Sequence, residues 1–160
     1  MKYELSPQSA HRFSFIPDDL RYFNSHFICE PMAMAWAIPP AKPYGKSYKA
    51  ADFVAWALRA PIVSKRAKYA LEGICTDLVE FLPFHEIKGD PYFAINVLNL
   101  NPNAPIHKPK PQGVPLVDER FAVIIRDCGL SGVALADPRN SIGRRIVRGE
   151  SLHDFPGLVG

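Results

Sequence analysis

The stretch that most limits the folds open to this chain is Pro61–Leu98, where one amphipathic helix and two strands follow each other with little slack. Ala67, Ala70, Leu71 and Ile74 recur at i, i+3, i+4 and i+7, one face of a helix over Ser64–Glu72. Ser64 is a good N-cap, because its hydroxyl can take a backbone N–H that the first turn leaves free. Lys65 and Arg66 in that turn oppose the helix dipole, a small local cost. Gly73 suits the left-handed position after the helix, with Ile74 folding back over the last turn. Strands over Leu78–Leu82 and Tyr92–Leu98 follow, joined through Pro83, Gly89, Asp90 and Pro91. Val79 and Phe81 point one way from the first strand, and Leu78, Glu80 and Leu82 the other. Phe93, Ile95 and Val97 share a face of the second, so both strands can pack on the helix. Asn96 sits among apolar neighbours and needs hydrogen-bond partners if buried.

A second segment repeats this plan. Asp118 caps a helix whose Phe121, Ile124, Ile125 and Cys128 again fall at i, i+3, i+4 and i+7. Gly129 stops it, Leu130 is placed to touch Ile125, and Gly132–Ala136 reads as a short strand closed by Asp137–Pro138. Arg66–Pro83 and Arg120–Pro138 thus share the order helix, glycine, apolar residue, strand, proline. This is a weak duplication or two units built by the same rules.

The rest of the chain is less regular, and its 16 prolines predict short elements with long connections. Phe13 and Phe15 fit a short edge strand closed by Pro17. Tyr22–Ala37 is rich in aromatic and apolar residues, and the spacing of Met32, Met34, Trp36 and Ile38 predicts a strand. Pro39–Ser47 reads as a loop. Its Gly45-Lys46-Ser47 matches the end of a phosphate-binding loop, but the first glycine and the preceding strand are missing. Tyr48–Leu58 is predicted as a short helix with Phe53, Ala57 and Trp56 inward, ended by Pro61. Asn99–Pro115 is a second long loop, in which Lys108 and Lys110 are expected to be solvated.

With 160 residues the chain fits one domain and can bury a core without staples. A net charge of +3 is too weak to argue for nucleic acid. Cys29, Cys75 and Cys128 are odd in number and far apart, which argues against a disulfide scaffold and for small buried thiols. No apolar run approaches the roughly 20 residues that span a bilayer, and the N-terminus lacks the order of a signal peptide. A cytoplasmic protein with no membrane partner is the expectation.

Reactive constellations are sparse. The five histidines are scattered, and His26 and Cys29, three apart, have no matching pair to complete a metal site. Cys29, Cys75, Ser131 and His85 do not sort into a nucleophile and base by spacing. Glu80 and Glu86 read as surface residues. Arg139, Arg144, Arg145 and Arg148 form a basic tail suited to phosphates or an acidic protein face. The tail lacks interleaved aromatics, which places nucleic acid last among partners. No catalytic residue, cofactor or metal follows from these patterns.

Ile62-Val63-Ser64-Lys65-Arg66-Ala67, Leu71, Val79-Glu80-Phe81-Leu82-Pro83 and Tyr92-Phe93-Ala94-Ile95-Asn96-Val97-Leu98 together resemble a bacterial immunity-protein family of polymorphic toxin systems. Asp118-Glu119-Arg120-Phe121 through Gly129-Leu130-Ser131-Gly132-Val133 looks like that family's closing helix and strand. The resemblance covers about half the chain, chiefly Pro61–Asp137. It implies a cytoplasmic α+β protein that neutralises a cognate toxin by binding it, with no enzymatic residues to carry over. Trp36 and Tyr44, with Arg144 and Arg145 as a charged rim, are the candidate contacts. The expected architecture is α+β: a compact single domain with a short antiparallel or mixed sheet and two to four packed helices. A homo-oligomer stays open. A small nucleic-acid-associated protein and an enzyme are the alternatives.

Overall fold

The computed structural model describes residues 1–7, 14–19, 21–22, 25–44, 51–57 and 59–140. Its strands are β1 (Lys2–Pro7), β2 (Ser14–Pro17), β3 (Ala41–Tyr44), β4 (Phe53–Ala57), β5 (Ala60–Ser64), β6 (Val79–Pro83), β7 (Tyr92–Val97), β8 (Ile106–His107), β9 (Leu116–Asp118) and β10 (Val133–Ala136). Helix α1 (Lys65–Leu71) joins β5 to β6, and α2 (Glu119–Asp127) joins β9 to β10. The class is α+β. The two α-helices among the described residues stand at the lower bound of the expected number.

The strands form two sheets, one of six in the order β3-β2-β4-β5-β7-β6 and one of four in the order β10-β1-β9-β8. All pairs are antiparallel except β2 with β4. The repeated sequence plan has a topological counterpart. In each unit a strand runs straight into a capped helix, and the chain then returns to the same sheet one strand away. β7 fills the gap between β5 and β6, and β1 fills the gap between β9 and β10. Both units are split β–α–β arrangements.

The two units bury their helices in one core. Val63, Ile95 and Val97 from the large sheet meet Ala67 and Leu71 of α1, Phe121 and Ile125 of α2, and Ile106 and Val117 of the small sheet. Local signals set the helix ends as the sequence suggests. The Ser64 hydroxyl accepts from the Ala67 amide, and the Asp118 carboxylate accepts from the amides of Arg120 and Phe121. At the end of α2, Gly129 adopts φ 58. The Leu130 N–H then donates to Ile125 O at 2.9 Å, and the Gly129 N–H to Arg126 O at 3.1 Å. That pairing returns Leu130 to the core beside Ile125. Gly132 is a close approach, since a Cβ there would stand 2.3 Å from Phe53 O.

One buried carboxylate ties these parts together. Asp52, just before β4, accepts from Ser64 Oγ at 2.7 Å, Arg66 Nε at 3.2 Å and Arg66 Nη2 at 2.8 Å. It also accepts from the Ser131 amide at 3.0 Å. Arg66 in turn donates to Cys128 O at 2.9 Å and Gly129 O at 3.0 Å, the free carbonyls at the end of α2. The cation that opposes the dipole of α1 thus caps the negative end of α2. Burial alone would raise the Asp52 carboxyl, but the hydrogen bonds from Arg66, Ser131 and Ser64 outweigh it and hold it below the usual carboxylate range.

Several expectations are corrected. Residues 32–38 form no strand but an irregular strap with a single 3-10 turn at Ala33–Ala35, because their backbone groups bond to side chains of the sheet instead of a ladder. Residues 41–44 are strand β3, with Pro43 tolerated because β3 is an edge strand. Of the helix expected over residues 48–58, the described part is instead β4 (Phe53–Ala57), where Phe53 and Val54 pair with Val63 and Ile62. Pro61, read as its terminator, belongs to β5. β2 is internal, between β3 and β4, and not an edge. Gly73 is not left-handed; the chain turns on through residues 72–78, and Asp77 takes φ 62. Leu78 precedes β6 and packs on the helix side. Residues 106–107 within the long loop pair with β9. Cys128 is exposed, not buried. Phe13, residues 45–50 and Arg148 lie outside the described residues.

Asp52→Ala is expected to cost about 2–3 kcal/mol, measured by urea unfolding. Because folding lowers the Asp52 carboxyl below its ordinary 3.8, its contribution is full above that pH and fades as pH falls further. The gap between wild type and variant should therefore narrow on acidification below pH 3.8.

Candidate functional site

The large sheet has helix α1 on one face and the strap, residues 25–40, on the other. Beneath the strap lies a second core in which Phe27 meets Val54, Ala60, Ile62, Leu82 and Ala94. Five side chains from outside the strap, or from the strap itself, fix it in place. Lys108 Nζ donates to Phe27 O. Asn96 Nδ2 donates to Glu30 O at 2.9 Å and to Glu80 at 2.8 Å. The Glu80 carboxylate accepts the Met32 amide at 2.8 Å and the Ala33 amide at 3.2 Å. Trp36 Nε1 donates to Pro83 O at 2.7 Å, and its ring meets Phe27 edge-on at 6.0 Å. His85 Nε2 bonds Pro39 O at 2.8 Å while its ring stacks on Phe15.

These bonds run mainly between sheet side chains and strap backbone, which leaves the strap's own side chains uncommitted. Residues 31–41 carry no charged side chain, and the one polar group among their side chains, the Trp36 indole N–H, is already used. Pro31, Ala33, Met34, Ala35, Ala37, Ile38 and Pro40 are exposed, Met34 completely. The result is an apolar ridge on a braced backbone, of the kind that marks interaction surfaces. An anchored ridge loses little conformational entropy when it is covered.

The bracing has a cost at Lys108. Its side chain is 0% exposed, and burial pushes its pKa down to about 8. Arg59 adds to the lowering, and Cys29 opposes it. Phe27 and Cys29 both take left-handed φ, 57 and 63. The turn that presents its carbonyl to this lysine is thus itself strained. The expectation that Lys108 is solvated is overturned: its burial depends on residues 27–29, which are remote in sequence. Glu80, expected on the surface, is half-buried and braces the strap. Asn96 finds two acceptors as required, although its Oδ1 has no partner.

Of the candidate contacts, Trp36 is half-buried and acts as a strut behind the ridge. Tyr44 lies on β3, opposite Ser14. Arg144 and Arg145 lie outside the described residues. Arg139 pairs with Asp137 at 2.7 Å. Cys75 is inside the main core, its thiol pushed up to about 12 by burial, which removes it as a nucleophile. His26 Nδ1 bonds Tyr22 O at 2.6 Å, and its ring stacks on Tyr22. Among the described residues, no three His, Cys, Asp or Glu side chains come together to hold a metal ion. No helix of those residues is long and apolar enough to cross a membrane.

A cavity of about 290 Å³ opens beside the Asp52 node, lined by Ala51, Asp52, Ser64, Lys65, Arg66, Asp90, Pro91 and Tyr92. Its Asp52 and Arg66 are saturated by each other and by Ser64, Ser131, Cys128 and Gly129. That leaves Lys65 and Asp90 as the other charged side chains of the lining. A carboxylate already accepting this many bonds is a structural group rather than a general base. Compared with family models and with curated proteins, the chain finds no match in either.

Replacing the buried ammonium by an apolar side chain of similar length tests the bracing. Lys108→Met is expected to be as stable as wild type or more so at pH 7, because a desolvated charge is removed. Folding lowers this lysine from 10.5 to about 8, so the wild-type penalty is full below pH 8 and relieved as pH rises toward 10.5. The stability difference between the two proteins should shrink across that window in urea titrations at stepped pH.

Proposed function

We propose that this protein neutralises a cognate bacterial toxin by binding it, acting in the cytoplasm. The observation that carries the reading is the ridge of residues 31–40, a run of exposed apolar side chains on a backbone braced by Glu80, Asn96, Trp36 and His85. Surfaces that bind proteins combine such an apolar centre with a polar rim. The resemblance of the segments around β5–β7 and α2 to a bacterial immunity-protein family supplies the class of partner. In this reading Met34 and Ile38 contact the toxin and Trp36 holds them out, while Tyr44 enters as a candidate contact on the strength of the sequence. Arg144 and Arg145 enter as a charged rim on the strength of the sequence.

The direct test is co-purification with the polypeptide encoded by the neighbouring gene, together with rescue of growth when that polypeptide is expressed. Met34→Asp should weaken capture by roughly 10-fold or more while leaving the thermal midpoint unchanged, since Met34 touches nothing in the free protein that burial would protect. Capture by the variant equal to wild type would remove the ridge from the contact. Failure of wild type both to capture and to rescue would remove the reading itself.

A further inference from the structure

Strand β6 ends the large sheet, with β7 on one side of it and no strand on the other among the described residues. The Phe84 N–H donates to Tyr92 O at 2.8 Å and the Leu98 N–H to Leu78 O at 2.9 Å. In an antiparallel ladder, residues alternate between facing the neighbour and facing away. In the β6–β7 register, Glu80 and Leu82 therefore face β7, while Val79, Phe81 and Pro83 face outward. The Trp36 indole agrees with this alternation, since it reaches the Pro83 carbonyl. The outward N–H and C=O of Val79 and of Phe81 have no hydrogen-bond partner among the described residues.

Exposed edges are ordinarily blunted by an outward charge, a central proline or a bulge. Here Pro83 is terminal, and the Glu80 side chain is spent on the strap. The α1 face beside this edge is basic and aromatic. Lys68 Nζ stands 5.0 Å from the Phe93 ring centre and 6.0 Å from that of Phe81, with Glu72 at 3.8 Å. Lys65 Nζ lies 5.6 Å from the Tyr69 ring, and the first turn of α1 has no acidic residue.

We infer that the β6 edge takes an extended, acidic segment of the partner protein as an added strand, resting on the binding function proposed above. Backbone bonds to Val79 and Phe81 supply affinity, and alternate side chains of the segment supply specificity. On one face those side chains meet Phe81 and the lysines, where a carboxylate is favoured. On the other they meet the strap, because Glu80 holds Met32 and Ala33 against the same strand. A second copy of this chain fits less well. Pairing two β6 edges about a two-fold axis sets Lys68 toward its counterpart, on a chain already carrying +3.

The test compares Val79→Pro, which removes an outward donor and leaves the ladder to β7 intact, with Val79→Ala, which keeps the donor. Binding to the neighbouring gene's product is measured by calorimetry, with thermal midpoints checking the fold. Val79→Pro should weaken binding roughly 3- to 10-fold relative to Val79→Ala. Lys68→Glu, whose folding does not depend on a proline in the strand, should weaken it and flatten its dependence on salt, because salt then screens a repulsion instead of an attraction. Equal affinities for all three variants and wild type would overturn the edge assignment while leaving the binding function standing. Absence of binding by wild type would overturn both. Slow amide exchange at Val79 and Phe81 in the isolated protein, read by NMR, or a dimer abolished by Val79→Pro, would assign the edge to this chain itself and overturn the inference.

Discussion

The arrangement depends on Asp52 receiving Arg66. A carboxylate at 8% exposure is stable only because every bond it can accept is made. In making them it fixes the start of α1, the start of β4 and the end of α2 relative to one another. Arg66 then satisfies two carbonyls that α2 leaves open. The apolar core packs the two β–α–β units against each other, but apolar packing has no direction. The node gives it one, because the bonds form only when both helices are in register.

On the far face of the sheet, a different logic holds the strap. Its backbone is bound by side chains that the sheet sends up from Glu80 and Asn96 and that the neighbouring loops send from His85 and Lys108. Using polar groups of the scaffold to hold a loop frees the loop's own side chains for other purposes. That explains how eleven consecutive residues without a charge can lie on a surface and still keep a defined shape. It also explains why a desolvated lysine and two left-handed residues are tolerated there: they are costs of a shape that the helical core does not need.

The sequence was most legible where contacts are local. Caps at Ser64 and Asp118, the Gly129 stop and the alternation along β7 each depend on residues within a few positions, and each is found as expected. Along β6 the alternation holds from Val79 to Leu82, with Leu78 before the strand and on the helix side. Legibility failed where partners are remote. Phe53-Val54 reads as helix until Ile62-Val63 is known to pair with it. Lys108 reads as solvated until Phe27 closes over it. Glu80 reads as a surface acid until the strap supplies two amides. The apolar ridge was visible only as a hydrophobic run, because exposure depends on what covers the other side of a segment. Trp36 is legible by residue type, whereas its indole bond to the Pro83 carbonyl, which lies 47 positions away, is not.

The central claim is that the strap is a braced surface rather than a loose loop. Backbone ¹⁵N relaxation of the free protein tests it most directly at Ala33, Met34 and Ala35, which are exposed and outside any sheet. Order parameters near 0.85, about those of a rigid backbone, are predicted for these three residues. Values below about 0.6 would contradict the account, since a ridge that moves freely on that timescale is not held by Glu80.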